Sequence, residues 1–448
     1  MSSTRALLRF PMTLLLLAFL TSAVSISQII IRTDRPTMKL DRRAQSQVLD
    51  SICTRITKYY LFPDVGKKMV DELRHQFTNG SLKDIPNPVD FARQVTQILL
   101  GVGHDKHTSV AFDPRNARDL LVNQQPAEAS RKPSEDMLKH LREANFGFEK
   151  LELLGGNIGY LRLTGFAGAQ YGGETAASAM RFLANADALI IDIRQNGGGD
   201  GSMVAFLCSY FFGGDPRRIN TSVFRNASQN EESWTAAYVP GKPMPEVHLF
   251  ILTSSRTFSA AEEFAYDLQS MKRGTIVGEA TGGGAHFNEF VAVDSNFVMS
   301  VSIGQAVNPI THTNWEGVGV KPDIEVPQDK ALEVAEIAAL KKLRESASDD
   351  QQKHTLDWMT ESLSAELNPV TVPEPTLKKY VGTYGERTIS FENGALYYQR
   401  NGRPKFMMIP MSEKLFRFRD LENFRVRFDA DENGRVKLSG LYDNGMVD

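Results

Sequence analysis

The sequence predicts an α/β core, with an N-terminal helical domain before it and a small C-terminal antiparallel β domain after it. Three observations support this prediction. In residues 151–330, apolar strands, glycine-rich turns and amphipathic helices alternate, which is typical of an α/β layer. Residues 40–112 have helical periodicity, and residues 376–448 contain short alternating strands separated by Asn-Gly turns. At 448 residues, the chain is long enough for two or three domains.

Composition is that of an ordinary globular protein, with 42% hydrophobic and 23% charged residues. The net charge of -3 and the pI near 6.3 disfavour a nucleic-acid partner. Cys53 and Cys208 lie in apolar stretches, which favours buried free thiols over a disulfide. Neither cysteine has the neighbours of a metal site, and we predict no metal and no cofactor.

Residues 1–25 have the pattern of a secretory signal peptide. Arg5 and Arg9 precede the apolar run Met12–Leu20, which is too short to span a bilayer. Small residues follow at Ala23–Ser25, where cleavage is expected. We therefore expect an exported protein, secreted or periplasmic, with no stable membrane span after cleavage. An uncleaved membrane anchor is the alternative.

The helical domain, residues 40–112, ends in the segment GVGHDKHTSVAF. His104 and His107 lie three residues apart there, and H-x-x-H on a helix can bind a metal. Neighbouring glycines weaken a helix at this point, and the segment contains no evident third ligand. We therefore favour a catalytic or structural histidine. Residues 113–150 are polar and contain three prolines, which predicts a linker.

Within the core, the strand ALIID leads into Gly197-Gly198-Gly199. This glycine run lacks the spacing of both G-x-G-x-x-G and G-x-x-x-x-G-K, so a nucleotide site is disfavoured. It predicts a loop whose backbone amides approach a substrate. After the core, residues 331–370 form a charged, amphipathic helical connector.

Ser259 stands where the apolar strand His248–Leu252 gives way to a helix whose apolar residues recur at i, i+4 and i+7 from Phe264. Free amides and the positive end of the helix dipole favour a negative oxygen at such a position. A serine at a strand-turn-helix can present a nucleophile, with the amide of Ala260 beside it. The same residues also fit a capping box, in which Glu262 and Ser259 only stabilise the helix start.

Taken in order, these segments resemble the C-terminal processing protease superfamily of serine peptidases, and within it the tricorn-type and interphotoreceptor retinoid-binding-like branch. The resemblance covers about residues 40–330. It is carried by IIDIRQNGGG, by TFSAAEEFAYDLQ followed by VGEATGGGAHF, and by EGVGVKPDIEV. It implies a crotonase-like (Clp-protease-like) α/β core that hydrolyses peptide or unfolded polypeptide substrates.

The resemblance also implies roles for individual residues. Ser259 matches the nucleophile, and the amides of Ala260 and Gly198 match the two donors of the oxyanion hole. Processing proteases activate the serine with a lysine about 25 residues after it. That position is Gly284 in this chain, so a Ser/Lys dyad is not possible.

The tricorn-type branch instead uses a histidine as the base, and His107 in D-K-H-T falls at the matching place. Glu316, in W-E-G-V-G-V-K-P-D, matches the glutamate that helps to orient it. A serine beside the histidine in that branch is replaced by Lys106. His286, two residues beyond Gly284, is the alternative base.

The function predicted on this basis is an exported serine-type peptidase with an acyl-enzyme on Ser259 and a histidine base. One alternative is a non-catalytic protein of the same fold that binds an apolar, retinoid-like ligand. Another is an ester or lactam hydrolase. Residues 376–448 resemble a small β domain often appended to secreted β-lactamase-like and peptidase proteins, which implies an accessory module or a stabilising cap.

Overall fold

The structure is a computed structural model that describes residues 38–82, 85–122, 135–432 and 434–448. The predicted signal peptide, residues 1–25, and part of the predicted linker lie outside these residues. Within the described ranges, no helix is both long enough and apolar enough to cross a membrane.

The chain begins with three helices, as its periodicity predicts: α1 (Arg42–Tyr59), α2 (Pro63–Asn79) and α3 (Pro88–Gly103). The Asp41 carboxylate caps α1 by accepting the N–H of Ala44 at 2.8 Å. Proline occupies the first turn of α2 and α3, where its missing N–H costs nothing. His104 ends α3 in a left-handed conformation with φ of 54°.

Two further helices form within residues 113–150, which the sequence predicts as a linker. The elements between the first helices and the core are β1 (Ser109–Phe112), α4 (Pro114–Val122) and α5 (Glu135–Glu143). Pro114 occupies the first helical position of α4, where its fixed φ suits a helix start. Proline content alone therefore did not exclude helix in this segment.

The core alternates strands and helices. In chain order these are β2 (Phe148–Leu154), β3 (Ile158–Leu163), α6 (Ala169–Leu183), β4 (Ala188–Asp192), α7 (Gly201–Cys208), β5 (Arg218–Phe224), β6 (Glu231–Trp234), β7 (His248–Thr253), α8 (Ala260–Ser270), β8 (Thr275–Gly278), β9 (His286–Ala292), β10 (Phe297–Val307) and β11 (Ile324–Glu325). The predicted mixed α/β class is confirmed, and the crotonase-like arrangement stays a prediction.

One sheet has the strand order β11-β8-β7-β4-β3-β2, parallel throughout except for β2. The central strand β4 is buried on both faces, as parallel strands covered on both sides usually are. Helices α6, α7 and α8 supply the core on one face. The other face packs against the helical connector, α9 (Ala331–Ser346) and α10 (Asp350–Leu367).

A second sheet joins the N-terminal helices to the core. Its long strand β10 pairs antiparallel with β1, β5 and β9. Apolar residues of α1, α2 and α3 pack on β10 in one continuous cluster. This packing brings the segment after α3, which contains His107, close to the start of β9, which is His286.

The C-terminal unit is antiparallel, as predicted. After α11 (Glu374–Lys378) come β12 (Gly382–Tyr384), β13 (Arg387–Glu392), β14 (Ala395–Arg400), β15 (Lys405–Met407), β16 (Ile409–Pro410), β17 (Leu415–Arg417), β18 (Phe424–Ala430) and β19 (Val436–Tyr442). They form two four-stranded sheets around an aromatic core. The turn at Asn393-Gly394 has positive φ at both residues, which explains the Asn-Gly signal. Cys53 and Cys208 are free and buried.

Candidate active site

Ser259 lies at the turn between β7 and α8, immediately before the first helical residue, Ala260. Its φ of 54° and ψ of -123° are rare for a residue with a Cβ and cost about 1–3 kcal/mol. Such a conformation persists where surrounding contacts hold it, and it is frequent at functional sites. A strained strand-to-helix turn is also the geometry that exposes a nucleophilic serine in other hydrolases.

Glu262 provides contacts that hold this turn. Its Oε2 accepts the N–H groups of Ser259 at 2.9 Å and Gly284 at 2.8 Å. Its Oε1 accepts the N–H of Gly283 at 2.6 Å and the hydroxyl of Thr281 at 2.5 Å. Burial raises the pKa of Glu262 to about 7, although these four donors oppose the rise. The capping contact is therefore present, and the same carboxyl group also binds the glycine loop.

Gly198 lies directly against the nucleophile turn. A Cβ built on it would come 2.8 Å from the Cβ of Ser259 and 3.1 Å from the amide nitrogen of Ala260. Its φ of 106° also suits glycine better than any other residue. In this structure the Gly198 N–H donates to Asn196 Oδ1 at 2.9 Å. The Gly198 amide, predicted to be an oxyanion-hole donor, thus lies beside the turn and is already hydrogen-bonded.

The N–H of Ala260, in contrast to that of Gly198, has no hydrogen-bond partner among the described residues. It is one of the first amides of α8, which have no partner within the helix. This amide can therefore receive an oxygen of a bound molecule without breaking an existing bond.

His107 packs beside the nucleophile turn through Phe258. The two ring centroids are 4.8 Å apart and the rings are tilted by 30°. A Cβ on Gly284 would lie only 2.7 Å from His107 Cε1, so glycine leaves the room that this ring occupies. Burial lowers the pKa of His107 to about 4, despite the nearby carboxylate of Asp105. The imidazole is therefore neutral at pH 7, the form that can accept a proton.

His286 is the histidine that carries carboxylate partners. Its Nδ1 lies 3.1 Å from Asp105 Oδ2 and 3.8 Å from Glu316 Oε1. Burial opposes the charged imidazole, but the Asp105 hydrogen bond and the two negative charges raise the pKa of His286 overall. The carboxylate of Asp105 also accepts the backbone N–H of His107 at 2.9 Å. Asp105 therefore connects the two histidines.

Glu316 lies beside His286, whereas the family resemblance implies that it orients His107. Its Oε2 accepts the N–H of Ala285 at 2.5 Å. Its Oε1 is buried and has no hydrogen-bond partner among the described residues. Nδ1 of His107 is buried and unpartnered in the same sense. An orienting contact between Glu316 and His107 is not formed in this arrangement.

Lys106 also reaches this region. Its Nζ donates to the carbonyl oxygen of Gly282, two residues before Gly284, the position at which processing proteases resembling this chain carry their lysine. The residue is otherwise exposed. Lys106 therefore ties the histidine segment to the glycine loop.

The structure thus gathers Ser259, Ala260, Gly198 and His107 around one turn, with His286 and Glu316 in a second, adjoining cluster. Among the described residues, neither imidazole forms a hydrogen bond with the Ser259 hydroxyl. Hydrogen bonds of a catalytic serine are often long or absent before substrate binds, so this arrangement does not exclude either histidine as the base.

Sequence reasoning missed Asp105 and Asn196. Asp105 stands between two histidines in the sequence, but its side-chain partner His286 is 181 residues away. Asn196 precedes the glycine run and binds Gly198 through its side-chain oxygen. A polar residue two positions before a glycine with positive φ is a local signal that could have identified Asn196.

Comparison with known proteins finds similarity to one family of peptidases. Residues 157–326, which include β3 through β11 and Ser259, match peptidase family S41. A carboxyl-terminal-processing protease of Synechocystis sp. is 28% identical over 226 residues, covering 49% of this chain and 48% of that protein. Residues 157–326 are therefore a peptidase S41 domain, similar to that of carboxyl-terminal-processing proteases.

A second similar protein is a carboxyl-terminal-processing protease of Picosynechococcus sp., which is 30% identical over 187 residues. The match covers 41% of this chain and 42% of that protein. A carboxyl-terminal-processing peptidase 2 of Arabidopsis thaliana chloroplasts is 25% identical over 190 residues, 38% of this chain and 32% of that one. The chain thus spans about half or less of the length of the curated relatives it matches.

Solved structures are similar at lower identity. A putative peptidase from Parabacteroides merdae has a TM-score of 0.47 and 17% identity, covering 68% of this chain and 99% of that one. The photosystem II D1 C-terminal processing protease has a TM-score of 0.41 and 17% identity, covering 64% and 93%.

Proposed function

We infer that this protein is an exported serine-type peptidase that cleaves peptides or unfolded polypeptides through an acyl-enzyme on Ser259. The strained backbone of Ser259 carries the inference, because φ of 54° at a residue with a Cβ is held in place by the buried Glu262. The match of residues 157–326 to peptidase family S41 and the free Ala260 amide support it. Export is supported by the signal-like pattern of residues 1–25.

In the proposed reaction, Ser259 Oγ attacks the peptide carbonyl carbon while a histidine accepts the hydroxyl proton. The carbonyl oxygen becomes negative and is stabilised by the Ala260 N–H and the Gly198 N–H. Collapse of this intermediate breaks the C–N bond, and the protonated histidine gives its proton to the leaving amine. Water then hydrolyses the acyl-enzyme by the same route.

His107 is the proposed base, as in the tricorn-type branch that the sequence resembles. Its contact with Phe258 places it next to the nucleophile turn, and burial keeps it neutral. For Gly198 to bind the oxyanion, its N–H must leave Asn196 Oδ1, so substrate binding is expected to change this loop. His286 remains the alternative base, supported by its carboxylate partners Asp105 and Glu316.

The experiment compares cleavage of an unfolded polypeptide by the wild type, Ser259→Ala and Ser255→Ala. Ser255 is an exposed serine of the same segment and serves as the matched control. We expect Ser259→Ala to lose at least about 1,000-fold in rate, as loss of a nucleophile does, and Ser255→Ala to keep its activity. Hydrolysis of esters but not of peptides would replace the peptidase with the ester hydrolase. Absence of any Ser259-dependent turnover would contradict both.

A further inference from the structure

Asp105, His286 and Glu316 form a three-donor cluster beside the nucleophile turn. Their ligand-type atoms all lie within 4.8 Å of one another. Asp105 comes from the segment after α3, His286 from the start of β9, and Glu316 from the loop before β11. Because they are far apart in the sequence, no spacing motif reveals them.

We propose that these three residues form a binding site for a divalent transition metal of the zinc class. Zinc prefers imidazole nitrogen and carboxylate oxygen, and many zinc sites use three protein ligands and one open position. Calcium and magnesium prefer all-oxygen sites with more ligands, so they fit this donor set less well.

Two of the three donor pairs are separated by distances close to those of this ion. Ligands placed tetrahedrally about 2.0–2.2 Å from zinc lie about 3.3–3.6 Å from one another. His286 Nδ1 is 3.1 Å from Asp105 Oδ2 and 3.8 Å from Glu316 Oε1, on either side of that range. Small side-chain shifts of a few tenths of an ångström would make the two donor pairs suitable for a tetrahedral ion.

Burial and hydrogen bonding also support a metal site at these three residues. The side chain of Asp105 is 0% exposed and that of His286 is 6% exposed. Glu316 Oε1 is buried and has no hydrogen-bond partner among the described residues, although it faces His286. An unpartnered buried carboxylate oxygen is costly, and a metal ion would satisfy it.

Charge points in the same direction. Two carboxyl groups, Asp105 and Glu316, lie beside a single imidazole, so their ionised forms exceed the charge that one imidazolium can balance. A divalent cation would balance both carboxylates. On binding, the ion would replace the proton that His286 Nδ1 shares with Asp105, and that proton would go to solvent.

Occupancy would also affect catalysis, and this part rests on the proposed function. Glu316 holds the N–H of Ala285, the residue after the glycine loop that Glu262 binds. A metal bound to Glu316 and His286 would fix this loop and occupy the alternative base. We therefore expect zinc to inhibit peptide hydrolysis.

The test is a titration of the full chain, freed of metals by chelation, with Co²⁺ as a spectroscopic probe and then Zn²⁺ as competitor. We expect one equivalent of Co²⁺ to give the intense visible absorption of a low-coordinate ion, and Zn²⁺ to abolish it. Asp105→Asn, His286→Gln and Glu316→Gln should each weaken binding by at least about 100-fold, since even loss of outer-shell partners costs 10–100-fold.

The matched control is His104→Asn, which removes the other histidine of the H-x-x-H pair. Asn tolerates the left-handed conformation of His104, and it should leave Co²⁺ binding unchanged. Glu316→Gln keeps an acceptor for the Ala285 N–H, so its fold should survive, and circular dichroism checks this. No saturable site in the wild type, or wild-type binding by folded Glu316→Gln, would overturn the proposal. The titration measures metal binding without measuring peptide hydrolysis. Failure of the metal-site proposal can therefore be distinguished from failure of the proposed peptidase function.

Discussion

The carboxyl group of Glu262 accepts the backbone N–H of Ser259 at 2.9 Å, from within the first turn of the helix that Ser259 precedes. The same oxygen accepts the N–H of Gly284 at 2.8 Å. One buried side chain therefore fixes both the strained nucleophile turn and the loop that lies against His107. This relationship makes Glu262 a positioning residue for the proposed chemistry.

Glu262→Gln should reduce the rate of serine labelling by at least about tenfold while the chain stays folded. An amide presents one acceptor oxygen in place of two, so it cannot accept all four donors. Its NH₂ group would also face an N–H donor. The measurement is the rate of reaction with a fluorophosphonate, and circular dichroism confirms folding. Glu279→Gln, a partly exposed glutamate in the same region, is the control. If Glu262→Gln reacts with the fluorophosphonate at the wild-type rate, Glu262 does not position the nucleophile.

Gly198→Ala should abolish peptide hydrolysis and destabilise the protein, because its Cβ would contact Phe258 and Ser259 at 2.8 Å. Its φ of 106° adds backbone strain, and together these effects should cost about 2–4 kcal/mol. Gly197→Ala is the matched control, because a Cβ there meets nothing within 4 Å. Urea unfolding and hydrolysis of the same polypeptide give the two readouts. Equal behaviour of the two variants would contradict the close approach of Gly198 to the turn.

The sequence predicted most of the fold because its apolar periodicity is strong. The strand-to-helix change around Ser259 and the Asn-Gly turn at Asn393 are both present. The helices within residues 113–150 differ from the predicted linker, because Pro114 starts a helix there instead of breaking one. A proline can mark either the start or the end of a helix, and only the apolar periodicity of the residues after it distinguishes the two.

The candidate site was predicted less completely, because its geometry depends on contacts between distant segments. Ser259 and Gly198 were identified from local motifs, and the structure places them together. The pairing of Glu316 with His286, and the link from Asp105, depend on how β9 and the segment after α3 meet. The spacing of residues along the sequence does not predict how segments far apart in the chain align with one another.

A carboxyl pair on α8 should make stability depend on pH. Glu263 and Asp267 are buried and one helical turn apart, and they accept hydrogen bonds from Asn220 and Asn308, respectively. Burial raises the pKa of Glu263 to about 7, and burial and the charge of Glu263 raise the pKa of Asp267. A raised pKa means that the folded state binds the proton more tightly than the unfolded state.

The stabilising effect of the protonated Glu263 is therefore fully present below about pH 4.5 and is lost as the pH rises through about 7. Glu263→Gln should reduce this dependence and stabilise the protein at pH 8 by about 1–3 kcal/mol. Its amide oxygen can still accept from Asn220. The check is urea unfolding at pH 5 and pH 8. The prediction is contradicted if the free energy of unfolding of the wild type is constant or rises from pH 5 to pH 8 and that of Glu263→Gln changes by the same amount.

Arg425 should anchor the C-terminal β unit to α10. Its side chain is 2% exposed, donates to Glu361, Ser362 and the carbonyl of Trp358, and lies 3.6 Å from the Trp358 ring centroid. Arg425→Ala should lower the free energy of unfolding of this unit by about 2–4 kcal/mol. This free energy is measured by limited proteolysis of the C-terminal unit over a series of urea concentrations. Arg427→Ala, whose side chain is 47% exposed, should change it by less than about 0.5 kcal/mol.

The central claim is that Ser259 is an activated nucleophile, and site mapping of fluorophosphonate labelling tests it most directly. The wild type should carry one label, which mass spectrometry places on Ser259, and Ser259→Ala should carry none. His107→Gln should slow labelling by at least about 100-fold and His286→Gln by much less, because general-base catalysis contributes about 10²–10⁴-fold. The reverse order would make His286 the base. A folded wild type that is not labelled, or is labelled on another serine, would contradict the claim.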